Sequence, residues 1–134
     1  MRHAIFAAPI LLAMVSAPAL SENWRQMGTV GDSVGYIDID SIKRSRDKVR
    51  FWRDVRSQEP QTAPTGHRFD SASVLIEVDC RAKMFRYLRQ RAKLGDRLIY
   101  DAKDPNDSLH AIRPGSVIDT ELRAVCLNEW PTGK

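Results

Sequence analysis

Residues 72–80 read Ala72-Ser73-Val74-Leu75-Ile76-Glu77-Val78-Asp79-Cys80, the clearest alternation in the chain. Ala72, Val74, Ile76, Val78 and Cys80 fall on one side of an extended backbone; Ser73, Glu77 and Asp79 fall on the other, with Leu75 the exception. This is the pattern of an antiparallel strand with one face on a core and one in water. A second element answers it near the C-terminus. Pro114-Gly115 punctuates the approach, Ser116 supplies a helix cap, and Asp119 three residues on makes a variant of the capping box. Ile118, Leu122, Val125 and Cys126 then follow at helical spacing and form one apolar stripe. Cys126 lies on the side of the helix that seeks the core, and Cys80 on the apolar side of its strand. The two parities agree. A disulfide between them ties the helix onto the sheet.

Outward from that strand the chain reads as further strands. Trp24–Val30 is ended by Gly31-Asp32, and residues 34–39 (VGYIDI) follow with Ile37 and Ile39 on one face. Asp40-Ser41 starts a turn or short helical step through residues 41–44 (SIKR). In residues 48–56, Val49, Phe51 and Val55 share a face and Arg50, Asp54 and Arg56 the opposite one, while Trp52 and Arg53 break the pattern. Residues 59–67 (EPQTAPTGH) carry two Pro and a Gly without apolar periodicity and read as a surface loop. Residues 83–92 are a strand with no clean face. Leu94-Gly95-Asp96 is a turn, residues 97–102 (RLIYDA) return as a strand, and residues 103–108 are a loop. The fold class that results is α+β: a multistranded antiparallel sheet with a C-terminal helix packed on one face and tethered by a disulfide.

The first residues are an address. Met1, Arg2 and His3 form a basic start, IFAAPILLAMV an apolar run, and Ala17-Pro18-Ala19 a cleavage signal, so residues 1–19 read as a signal peptide. Pro9 and Pro18 argue against a core helix there. The apolar run from Ala4 to Val15 has 12 residues, against roughly 20 for a spanning helix. No Cys follows the cleavage point, which leaves no site for a lipid anchor, so a soluble periplasmic or cell-surface protein is expected. Residues 20–134 are expected to form a single domain. Losing Arg2 from the 21 basic side chains leaves 20 against 17 acidic ones, a net charge of +3. The composition, 43% hydrophobic and 28% charged, excludes collagenous, low-complexity and disordered classes. An exported chain with two cysteines and no CxxC spacing reads as one disulfide rather than two free thiols.

Several short elements carry a family resemblance. Trp24 stands near the mature start, followed by Tyr36-Ile37-Asp38 and Ser41-Ile42, then Val49-Arg50-Phe51-Trp52, Glu77-x-Asp79-Cys80, Pro114-Gly115-Ser116 and Cys126. In this order they resemble the surface-adhesin protein E-like family, small exported proteins of Gram-negative bacteria. The resemblance spans residues 23–126. It implies an antiparallel sheet with a disulfide-tethered helix and, through the named adhesin, binding to host matrix and plasma proteins. The chain departs from the family pattern at Leu109, where Trp is common.

No nucleophile elbow, zinc spacing, phosphate loop or dinucleotide motif occurs. His67 and His110 lack neighbouring ligands at metal spacing, and the carboxylate pairs Asp38/Asp40 and Asp101/Asp104 sit where turn and strand-end residues are common. Trp24 and Trp52 are expected to pack in the core or on a sheet face, and Trp130 to lie exposed in the tail. No cofactor is expected. Charge is the remaining signal. Residues 81–97 hold seven basic side chains against Asp96, and residues 43–56 seven against Asp47 and Asp54. Arg50, Arg56, Arg86, Arg89 and Arg91 are therefore the candidate anion-binding face, set against the blander reading of solvated strands whose charges deter aggregation. Simple alternation puts Arg89 and Arg91 on one face and Arg86 on the other. The expected function is a non-enzymatic exported binding module, with protein ligands or anionic polymers as partners and nucleic acid excluded by export. The alternative is a small periplasmic enzyme or enzyme inhibitor using His110 or a carboxylate loop.

Overall fold

The computed structural model describes residues 23–104 and 107–132; the leader assigned to residues 1–19 lies outside them. Six strands lie side by side in chain order: β1 (Trp24–Val30), β2 (Ser33–Asp38), β4 (Lys48–Thr62), β5 (Arg68–Asp79), β6 (Met84–Leu94) and β7 (Arg97–Lys103). Two short strands, β3 (Lys43–Ser45) on β4 and β8 (His110–Ala111) on β6, complete an eight-stranded antiparallel sheet. One helix, α1 (Val117–Leu127), crosses one face. Gly31 (φ +60°) and Gly95 (φ +57°) take the left-handed conformation that the tight turns of the β1–β2 and β6–β7 hairpins require.

The core follows the alternation. Ile37, Val49, Phe51, Ile76 and Val78 are fully buried beneath Ile118, Leu122 and Val125 of the helix. Each such side chain contributes about 1.5–3 kcal/mol by leaving water. Ser116 caps α1 by accepting from the Asp119 N–H, and the Asp119 carboxylate reaches back to the Gly115 N–H at 2.9 Å. The helix ends on Asn128 in the left-handed conformation. Cys80, just past β5, is bonded to Cys126 across 46 residues. Arg44 adds a second tie, donating to the carbonyls of Val125 and Cys126 at 3.1 and 3.2 Å, where the helix dipole favours a cation.

Several sequence expectations change. Residues 41–44 are not one helical step: a 3-10 turn at Ile39–Ser41 gives way to β3. Much of the expected loop 59–67 is strand, since β4 runs on to Thr62 and pairs again at Gln61 with Phe69. Pro60 is tolerated because it falls within the irregularity between Arg56 and Gln61, where no ladder N–H is required. Trp52 does not break the β4 pattern; it joins Arg50, Asp54 and Arg56 on the face away from the helix, while Arg53 points to the helix side. The strands β2 and β3 hand over along one edge of β4, and β7 and β8 along the other edge of β6. A side chain fills each gap: the Ser41 hydroxyl accepts the Trp52 N–H at 2.9 Å, and the Asp107 carboxylate accepts the Tyr87 N–H at 3.0 Å.

Candidate functional site

Register decides which arginines meet. From Met84 to Tyr87, β6 pairs one for one with Asp79 to Ile76, and then the count slips: Leu75 faces Arg89 rather than Leu88. Leu88 is the extra residue of a β-bulge, which resets the alternation beyond it. Arg86 sits opposite Glu77, and Arg89 and Arg91 sit opposite Leu75 and Ser73. All three therefore share the outer face. This corrects the expected split between Arg86 and the Arg89/Arg91 pair, and it explains why residues 83–92 show no clean face. Arg50 and Arg56 join them from β4, so the five candidate arginines lie on one surface.

They are not equivalent. Arg89 grips Asp101 with two hydrogen bonds of 2.8 and 2.6 Å, and Arg91 lies 3.7 Å from the same carboxylate and 5.0 Å from the ring centre of Trp52. The Arg89 hydrogen bonds hold the Asp101 carboxyl below its ordinary range. Arg56 bonds Asp54 at 2.8 Å and packs over Tyr36 and Trp24 at 4.6 and 5.4 Å. Asp54 also accepts from Ser73 at 3.1 Å. The two strand tryptophans are thus half-buried platforms for arginine on the outer face. Trp130, expected exposed, is half-buried with Arg25 over its ring at 4.7 Å.

Arg50 and Arg86 form a different arrangement. Both reach Glu77, which is only 3% exposed: Arg50 Nε at 2.7 Å from Oε2, and Arg86 Nε and Nη2 at 2.9 and 2.8 Å from Oε1. Lys48 Nζ stands 3.9 Å away. Burial alone would push the Glu77 carboxyl up, yet the Arg50 hydrogen bond and the Arg86 charge outweigh it and hold it below the ordinary carboxylate range. These groups line a cavity of about 360 Å³ together with Lys43, Arg44 and Ser45. Three cations converge on one carboxylate. Arg50 engages Glu77 through Nε, leaving its terminal nitrogens for another acceptor. Glu77 fixes the two guanidinium groups and offsets one of the three positive charges that converge on it.

Sequence reasoning included Arg50 and Arg86 but missed Lys43, Arg44, Lys48 and the organising role of Glu77. A signal was present: Glu77 stands on the polar side of a strand flanked in sequence by both basic segments. The remaining candidates have structural partners. His110 stacks against Phe85 at 5.4 Å and lies 3.6 Å from Asp107, and His67 meets Thr65 Oγ1 at 3.0 Å. Asp38 caps the 3-10 turn. Among the described residues no three His, Cys, Asp or Glu side chains converge as a metal site.

An antiparallel sheet with one disulfide-tethered helix and a charged outer face defines a class of small α+β domain. The family model of surface-adhesin protein E matches residues 24–127, and the chain belongs to that family. The family is non-enzymatic, and membership supports an exported location. No curated protein matches the sequence. Among solved structures, Haemophilus influenzae protein E is similar at a TM-score of 0.57 and 15% identity, over 82% of this chain and 88% of that one. Protein E from non-typeable Haemophilus influenzae gives 0.56 and 15%, over 84% and 80%. At such identities the likeness is one of fold.

Proposed function

We propose that this protein is an exported, non-enzymatic binding module that takes anionic polymers or acidic protein segments on the outer face of its sheet. The observation that carries the reading is the cavity in which Lys48, Arg50 and Arg86 share the single carboxylate of Glu77. Membership in an adhesin family supports a binding role, and host matrix or envelope components are the natural source of such ligands. The leader at residues 1–19 delivers residues 20–134, one domain without a lipid anchor, to the periplasm or the cell surface.

Heparin serves as the probe. Replacing Lys48, Arg50 and Arg86 by Ser removes the seat, whereas replacing Arg89 and Arg91 by Ser removes the cation that Asp101 binds and the one beside it. Column elution should shift to clearly lower salt for the first set and little for the second, with folding checked by circular dichroism. Equal, small shifts would mean diffuse charge and no site.

A further inference from the structure

The cavity around Glu77 is built on one cross-strand row of the sheet. Lys43 of β3 faces Arg50 of β4, Arg50 faces Glu77 of β5, and Glu77 faces Arg86 of β6. Directly paired residues share a face, and neighbouring strands lie about 4.8 Å apart. Three cations and one carboxylate therefore stand in line across four strands. Lys48, two residues before Arg50 on the same face, reaches to 3.9 Å from Glu77, and Ser45 lies opposite it.

Like charges directly opposite each other destabilise a sheet, yet Lys43 is set against Arg50. Among the described residues, Glu77 is the only acid that lines the cavity, and both arginines already bond it. Asp79 Oδ1 accepts from the N–H groups of Arg81 and Ala82, and neither it nor Asp47 lines the cavity. Arg44 faces the other way and holds β3 to the helix through the Val125 and Cys126 carbonyls. On the outer face, Lys43, Lys48, Arg50 and Arg86 thus meet one carboxylate, a local surplus of three positive charges in about 360 Å³. The two turns at this end of the sheet add Arg46 (φ +57°) and Lys83 (φ +55°), cations in the left-handed conformation that the hairpins at the far end give to glycine.

Resting on the anion-binding reading above, we propose that this cavity binds a phosphate monoester as its dianion, in preference to a singly charged sulfate or carboxylate. A monoanion leaves most of the surplus unmatched, whereas a dianion cancels two of the three charges. A phosphoryl group also offers three acceptor oxygens, enough for the terminal nitrogens of Arg50 and the ammonium groups of Lys43 and Lys48 together. The volume falls in the range of small-molecule sites and leaves room for part of the group that carries the phosphate.

Glucose 6-phosphate and glucose 6-sulfate differ at that group alone, and titrating each at low salt into the oxidised, ¹⁵N-labelled protein tests this. Saturable shifts are expected at the amides of Lys43, Arg50 and Glu77, with a Kd below about 1 mM for the phosphate and at least about tenfold higher for the sulfate. Between about pH 7.5 and about pH 5 the phosphate, with a second pKa of about 6, becomes a monoanion, so its affinity should fall at least about threefold while that of the sulfate holds. No histidine lines the cavity, and Glu77, held below the carboxylate range, stays charged throughout. Lys43→Glu should weaken the phosphate at least about tenfold, whereas Arg97→Glu, the same change in charge in the hairpin at the far end, should move it less than about twofold. Inorganic phosphate separates the sources: equal affinity assigns free phosphate, weaker affinity an ester. Sulfate within about twofold of phosphate, a phosphate affinity indifferent to pH, equal losses in the two variants, or no saturable shift up to about 20 mM overturns the proposal. Heparin elution that still depends on Lys48, Arg50 and Arg86 would then leave the broader anion-binding reading standing.

Discussion

Glu77 and Glu121 are both buried carboxylates facing arginine, and their environments push them in opposite directions. Glu77, hydrogen-bonded by two guanidinium groups, is held below the ordinary range. Its ionised form therefore stabilises the fold fully above the unfolded value of about 4.3, and that contribution disappears as pH falls through the lower folded value. Glu77→Gln should cost about 1–2 kcal/mol at pH 7, discounted for the exposure of Arg50, and much less in strong acid; urea unfolding at both pH values checks it. At Glu121 burial dominates and raises the carboxyl, with Arg53 only partly opposing it. Here stability falls as pH rises above the unfolded value. Arg53→Met strands the Glu121 charge and should cost about 3–5 kcal/mol at pH 7, shrinking below pH ~4, where the carboxyl is neutral in both states. The double change Arg53→Met with Glu121→Met should recover most of that loss, because no buried charge remains. Failure of the double variant to recover would place the cost in lost packing.

The bulge at Leu88 and the tether at Cys126 show how much of each element can be read in advance. The helix was legible down to its cap, since Ser116, Asp119 and the apolar stripe are local signals that act within one or two turns. So was the inward parity of Cys80 and Cys126. Chain entropy over a 46-residue separation gives the disulfide a worth of about 4 kcal/mol. The Cys80→Ala, Cys126→Ala variant should lose up to that amount, with amide exchange accelerating most in α1, where Arg44 remains as the second tie. Exchange rising equally in β5 and α1 would mean that the tether holds the whole fold and not the helix in particular. Leu88 gave no local warning. A bulge exists only relative to a partner strand, and the slip opposite Leu75 and Ile76 is what moves Arg89 and Arg91 across the sheet. Pro60 misled for a related reason: it is incompatible with a central ladder but harmless where the β4–β5 register shifts.

At the scale of the whole molecule, basic side chains outnumber the carboxylates they pair with on the outer face. Six basic side chains, Lys48, Arg50, Arg56, Arg86, Arg89 and Arg91, meet three carboxylates, Asp54, Glu77 and Asp101, on the outer surface. Binding of an anionic polymer there should weaken steeply with salt, as the screening length shrinks from about 10 Å at 0.1 M to about 3 Å at 1 M. Wild-type heparin affinity measured across that range should fall by orders of magnitude, and the slope should flatten in the Lys48, Arg50, Arg86 triple variant. A slope unchanged in that variant would put the contact elsewhere. The sequence by itself determined the strand parity of residues 72–80, the capped helix, the inward-facing cysteines and the basic character of two segments, because propensity, capping and alternation are properties of neighbours in the chain. Only the tertiary structure decided that five arginines share a face and that Glu77 gathers two of them with Lys48. Those outcomes depend on interstrand register and on the helix that settles across it, which join residues dozens of positions apart and leave no periodic trace in the sequence.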